Sequence, residues 1–302
     1  MIDDVSRTGG EPERLLIERV LGESVAHIRR AAWGFTNRTD IVTLTGGQRV
    51  VLQRYRNRDD VDRRLRLTRA LQVPAARADI ALPRERACDL DAEPPWVIFD
   101  ALPGVPVPNL DQAGFEDPRF PQLAWSMGDL LARFRKLSPT GVSIDDRWSS
   151  PERLATEAAA WSTAVHSLPG PVRTAIDALI DTVPALFAGR PAVLAHGDFA
   201  PVNILTDGVM LTGLLDLESV RLADPLFDVA WWAWAVGFAP DGVLEGAWPA
   251  FLEGAGIAAD DPDLPDRLRS LQVLRMLELL AGSSLAPKVR PIITAKLRSS
   301  VG

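Results

Sequence analysis

The chain has 302 residues, 47% of them apolar, a formal net charge of −7 and one cysteine, Cys88. Such a length can bury one large core or two lobes around a cleft. The negative balance argues against a broad nucleic-acid-binding face, which needs clustered positive charge, and a single cysteine rules out an internal disulfide. The opening stretch, MIDDVSRTGGEPER, lacks the apolar segment of a secretory signal. The longest nearly uncharged apolar run, Val229 to Ala239, has about half the roughly 20 residues of a membrane span. A cytoplasmic protein with no membrane partner is therefore expected, and that run reads as a buried helix.

In chain order, apolar side chains at helical spacing predict an opening helix over 13–21. The stretch HIRRAAWGFTNRTDIVTLTGGQRVVLQRY then reads as strand, loop, strand, Gly-Gly turn and strand. Val61, Leu65 and Leu71 predict a helix over 58–72, with Pro74 just beyond its end. RERACDL and WVIFDAL are two further short strands, the second stopping at Pro103-Gly104. From there the composition changes. GVPVPNLDQAGFEDPRFP is a Pro/Gly-rich loop, and helices are predicted over 122–137, 151–166, 171–188 and 265–281, with one strand-rich island at 192–216. The expected organisation is a small α+β unit, residues 1–104, followed by a larger, mainly helical unit, residues 105–302.

The island carries the chemistry. Asp207-Gly208, between NILT and VMLTGLLD, is a two-residue hairpin signal. Such a hairpin brings Asn203 and Asp216 to one end, and the loop bearing His196 and Asp198 leads into that end. Two carboxylates and an amide at one point suit a hard cation such as Mg²⁺, which takes oxygen ligands; with no cysteine and one histidine in the island, zinc is poorly supported. Mg²⁺ in turn suggests phosphoryl transfer, in which a carboxylate aligns or deprotonates the attacking hydroxyl. Taken singly, Asp198 and Asn203 suit turn caps and Asp216 a strand end; the combination is what points to a site.

The pattern H-G-D-x4-N, then D-x-E after a hairpin, resembles the core of the aminoglycoside phosphotransferase and choline kinase-like family, relatives of the protein kinases. His196, Gly197, Asp198, Asn203, Asp216 and Glu218 carry the likeness, supported by ADPLFDVAWW at 223–232. The resemblance implies a bilobal α+β fold and ATP- and Mg²⁺-dependent phosphorylation of a small molecule's hydroxyl. It implies Asp198 as the catalytic aspartate, Asn203 and Asp216 as metal ligands, and His196, Asp224 and Asp228 as supports of the catalytic loop. Trp33-Gly34-Phe35-Thr36-Asn37 looks like the family's nucleotide loop, and WVIFDALPG like the strand and hinge whose backbone, at Asp100, Ala101 and Leu102, meets adenine.

Two departures stand out. Lysine occurs only at 136, 288 and 296, so the strand position where kinases place a phosphate-binding lysine holds Gln53, and Arg64 stands near where its glutamate partner would be. A triphosphate beside two carboxylates still needs positive charge, which makes Arg64 the expected replacement, with Arg54 as its rival on the opposite strand face. Phe134-Arg135 replaces the Leu-His of many relatives; Arg135 reads either as a solvated residue or as a brace for Asp224 and Asp228. The acidic run Asp260, Asp261, Asp263 and Asp266 suits an amine-rich ligand or, more commonly, a solvated turn with helix caps. Trp231, Trp232 and Trp234 suit either a sugar-binding wall or the core. The leading expectation is an antibiotic kinase acting on an aminoglycoside or similar drug, the alternative a sugar or amino-sugar kinase. From other classes come a nucleotide-binding pseudokinase and a metal-dependent hydrolase. No protein partner is evident.

Overall fold

The computed structural model describes residues 10–31, 37–108, 114–282 and 285–301. Its first part is built on a five-stranded antiparallel sheet of order β1-β2-β3-β5-β4: β1 (Val25–Arg30), β2 (Arg38–Leu44), β3 (Arg49–Arg54), β4 (Glu85–Asp89) and β5 (Trp96–Asp100). Because strand side chains alternate between faces, each strand feeds two layers. Val50 and Leu52 join Val42, Leu44, Trp96 and Ile98 on one face, covered by Ile17 of helix α1 (Glu11–Leu21). Val97 and Phe99 face the other way, with Tyr55, against Val61 and Leu65 of α2 (Arg58–Arg77).

Helix α2 is capped by the Asn57 side chain, which accepts from the Asp59 N–H. It runs five residues past the expected end and takes Pro74 inside it. A proline removes one backbone donor and crowds the preceding turn. Here the last turn persists because Leu71 and Ala75 are buried in the large core of the rest of the protein. One helix therefore joins the sheet to the catalytic part, its first half on β5 and its second half in the other core.

That second core is enclosed by α3 (Phe120–Phe134), α4 (Pro151–Ala164), α5 (Gly170–Leu186), α6 (Phe227–Val236), α7 (Val243–Ala255), α8 (Leu264–Ala281) and α9 (Arg290–Val301). The buried run after residue 229 is α6, as its composition predicts. Helices α7 and α9 are not predicted from the sequence. Gly246, Pro249 and Gly254 make α7 a poor helix by propensity, but the glycine serves packing. A Cβ on Gly254 would collide with the Trp125 carbonyl oxygen, and one on Gly128 with that of Phe251, so the backbones of α3 and α7 touch. Among the described residues no helix is long and apolar enough to cross a membrane.

The strand island splits into two small sheets. β7 (Val193–Ala195) pairs antiparallel with β10 (Arg221–Ala223), while β6 (Val105–Pro106), β8 (Ile204–Thr206) and β9 (Leu211–Leu214) form the other. The hairpin forms where Asp207-Gly208 signals it, but its tight turn sits one residue further on. The Asp207 N–H bonds the Met210 carbonyl, with Gly208, at φ 97°, and Val209 between them. The Asp207 carboxylate accepts the Val209 and Met210 N–H groups, which explains the aspartate just before the turn.

Candidate active site

Strand β7 delivers the chain into His196-Gly197-Asp198. Gly197 has φ 85°, and a Cβ there would overlap the Ser219 carbonyl, so only glycine fits between the two catalytic segments. Asp228, in the first turn of α6, accepts from the His196 N–H at 2.7 Å through one carboxylate oxygen and from the Gly197 N–H at 2.9 Å through the other. It is fully inside the protein. Burial pushes its carboxyl up, opposed by His196, these two N–H groups and the charge of Arg135. Arg135 itself donates to the Ala255 carbonyl at 3.3 Å, and its charge acts on Asp228 and Asp224. Asp224 is held by Arg190 and accepts the Leu226 N–H at the start of α6.

His196 is completely buried. Its Nδ1 accepts from the Asp198 N–H at 3.3 Å, which assigns the proton to Nε2, 2.9 Å from the Leu215 carbonyl. The ring thus ties the segment carrying Asp198 to the one carrying Asp216. Asn203 donates through Nδ2 to both the backbone oxygen and Oδ2 of Asp198, each at 2.9 Å. The other oxygen, Oδ1, accepts from the Trp231 indole at 2.7 Å.

Across the hairpin the Leu215 N–H bonds the Asn203 carbonyl at 2.8 Å, so Asp216 follows directly at the same end. Its backbone is left-handed, φ 61°, a conformation that non-glycine residues adopt at a cost and that turns the side chain away from the strand. Asp216 is exposed, yet protein is packed densely around it. The resulting desolvation, then the like charges of Glu218 and Asp198, push its carboxyl well up against the pull of Arg64.

Arg64 comes from α2 and ion-pairs with Glu218. Its guanidinium lies 5.5 Å from the Tyr55 ring centre, and the Tyr55 hydroxyl donates to Gln53 Oε1 at 2.5 Å. The two residues standing in the lysine and glutamate positions are therefore linked through a tyrosine, and the arginine reaches the catalytic segment. Arg54, on the other sheet face, is engaged by Glu13 of α1. At the hinge, the N–H groups of Asp100 and Ala101 bond Arg84 and Arg49 carbonyls inside the protein, so two of the three donors expected to meet a base are occupied. Asn37 immediately precedes β2; Phe35 and Thr36 lie outside the described residues.

A buried charge cluster under the site escapes the sequence reading. Arg275 donates to the Gly197 carbonyl at 3.2 Å and Arg221 to the Ser219 carbonyl at 3.0 Å, and both bind the Glu278 carboxylate. Burial alone would push Glu278 up; Arg275 and Arg221 outweigh it and hold the carboxyl below its ordinary range. The available signal was Arg275 and Glu278, three residues apart on a helix otherwise buried and apolar there. The acidic run, by contrast, is an ion-paired turn before α8: Asp261 and Asp263 both pair with Arg267, and the Asp263 side chain makes no cap hydrogen bond.

Among the described residues no three His, Cys, Asp or Glu side chains converge as a complete metal cage. An ion here would take only part of its shell from the protein, the regime of Mg²⁺ beside phosphate. The oxygen-only donors fit that ion. Since Asn203 must turn its NH₂ to the Asp198 carboxylate, its carbonyl oxygen is left to coordinate, and a cation would relieve the repulsion felt by Asp216.

Comparison with known proteins matches residues 27–285 to the model of the phosphotransferase enzyme family, APH. Among solved structures, the macrolide 2'-phosphotransferase MphH of Brachybacterium faecium is 20% identical over 95% of this chain and 97% of its own, with a TM-score of 0.69. APH(2")-IIa, solved as a ternary complex with streptomycin and ATP, is 12% identical over 99% and 97%, TM-score 0.67. A choline/ethanolamine kinase family protein from Mesorhizobium loti is 16% identical over 96% and 94%, TM-score 0.68. At these identities the likeness establishes the fold. No curated protein matches the chain.

Proposed function

Since the chain belongs to the phosphotransferase enzyme family and is a small-molecule kinase with its bilobal fold, we propose that it uses ATP and Mg²⁺ to phosphorylate a hydroxyl of an antibiotic. One observation carries this reading: Asp198, Asn203 and Asp216 meet at one end of the β8–β9 hairpin, with the Asn203 amide turned so that its NH₂ holds Asp198 and its oxygen is free. Asn203 and Asp216 would hold the metal, whose contribution is to neutralise charge building on the transferred phosphoryl group. Asp198 receives or orients the proton of the acceptor hydroxyl as its oxygen attacks the γ-phosphorus and ADP leaves. Arg64, whose guanidinium reaches the catalytic segment at Glu218, supplies the cation that the missing lysine would bring to the phosphates. The Leu102 backbone, beyond the two occupied donors, meets the base.

For the acceptor, Arg267 pairs with Asp261 and Asp263 and so takes up half of the acidic run that would suit a polycation. Beyond the buried Trp231, which holds Asp198, Trp234 and the exposed Phe238, rings 4.7 Å apart, reach the surface and favour a drug with an apolar face. A macrolide therefore stands ahead of an aminoglycoside, and a free sugar or amino sugar behind both. ATP consumption against macrolides, aminoglycosides and free sugars tests the reading. Turnover with a drug supports it, turnover with free sugars alone assigns sugar metabolism, and none with any hydroxyl acceptor overturns it.

A further inference from the structure

We propose that Trp231 is a positioning residue for phosphoryl transfer: its indole N–H fixes the plane of the Asp198 carboxylate. The inference rests on reading Asp198 as the group that meets the acceptor hydroxyl. Asp228 and Trp231 are one helical turn apart on α6 and share a face. The first takes the backbone N–H groups of His196 and Gly197, and the second takes Asp198 Oδ1. A single turn of helix thus grips the catalytic loop by its backbone and by its reactive side chain.

A carboxylate on its own rotates freely over a broad range about its last torsion. Two donors on different oxygens define that rotation: Asn203 on Oδ2 and Trp231 on Oδ1. A carboxylate has about four acceptor positions, so with one taken on each oxygen two remain, and the fixed plane decides where they face an incoming hydroxyl. The indole is itself immobilised. Trp231 is 5% exposed, stacks on Trp234 with an interplanar angle of 8°, and lies 5.6 Å from the Arg275 guanidinium, which also binds Glu278 and the Gly197 carbonyl. Its neighbour shows what a tryptophan retained for packing alone looks like here. Trp232 stacks on Phe251 at 3.8 Å, and its indole N–H, like those of Trp148 and Trp234, is buried with no partner.

Trp231→Phe keeps an aromatic ring and deletes the donor. The expected result is a fall in kcat of about ten- to a hundredfold, the worth of one hydrogen bond to a charged group, with KM for ATP and for the acceptor within about twofold. Unchanged kcat, or a raised acceptor KM at unchanged kcat, overturns the proposal, the latter making the ring part of the acceptor wall. Asp198→Asn measured alongside separates the layers: if it retains turnover, the reading of Asp198 fails, and if it abolishes turnover while Trp231→Phe is normal, only the positioning role fails. An arm independent of activity uses ¹⁵N-indole NMR, with the Trp231 signal identified by its cross-peaks to Trp234. Asp198→Asn should move that N–H resonance and leave the Trp148 indole in place. An unmoved Trp231 resonance overturns the hydrogen bond, and this arm decides the matter if Trp231→Phe does not fold.

Discussion

The two sides of the cleft are held in different ways. The Asp198 side is fixed from several directions by short bonds to backbone and side chain: Asp228 on two N–H groups, Asn203 and Trp231 on the carboxylate, and Arg275 on the Gly197 carbonyl. On the sheet side, among the described residues, one ion pair, Arg64 with Glu218, joins α2 to the catalytic segment, and its other support is the Tyr55 ring. Redundant bonding in a buried setting suits a group that must meet a hydroxyl to within a fraction of an ångström. A single pair between side chains that keep about a fifth of their surface in solvent suits a group that must yield to a large charged ligand and regain a partner in it.

The comparison breaks most directly at Asp198. Asp198→Asn should cut turnover by about a hundred- to ten-thousandfold, the range for loss of a positioned base, with nucleotide affinity preserved. Single-turnover kinetics and nucleotide titration check this, and near-normal turnover would remove the rigid side's purpose. Next in size is Asp228→Ala, which leaves two buried backbone donors unsatisfied. At about 1–3 kcal/mol each, it should lower unfolding stability by roughly 2–6 kcal/mol in a denaturant titration, whereas Arg64→Ala should lower it by well under half as much. Equal losses would mean that the two sides are supported alike. The smallest effect sharpens the sheet side. Arg64→Ala should weaken ATP binding about ten- to a hundredfold, the worth of one charge-assisted hydrogen bond to phosphate, while Arg54→Ala, engaged by Glu13 on the far face, leaves affinity unchanged. The reverse pattern would transfer the cationic role to the strand.

The rigid side is also the legible one. His196, Gly197, Asp198 and Asn203 lie within eight residues, so spacing alone constrains how they meet, and Asp207-Gly208 marks the turn that returns Asp216 to them. Gly197 illustrates why: a left-handed backbone against the Ser219 carbonyl admits no other residue, so the demand is written as an amino-acid type. The sheet side is legible as strands, since alternation of Val50, Leu52, Gln53 and Arg54 assigns each to a face. Its charge pairing is not, because Arg64 and Glu218 are far apart in sequence and nothing local ties one to the other.

What the sequence determined by itself is therefore everything set by short-range periodicity and stereochemistry: the strand–turn–strand pattern of the first unit, most helices of the second, the hairpin, and the polar cluster at its mouth. Tertiary structure alone decided where long-range packing outweighs local preference. Pro74 stays helical because Ala75 is anchored in the core beyond it, and α7 forms despite Gly246, Pro249 and Gly254 because its glycine backbone fits against α3. Arg221, Arg275 and Glu278 meet beneath the catalytic loop because β10 and α8 cross there. Their charges are tolerated in the interior only as a mutually satisfied set, and that set does not exist until the chain has folded.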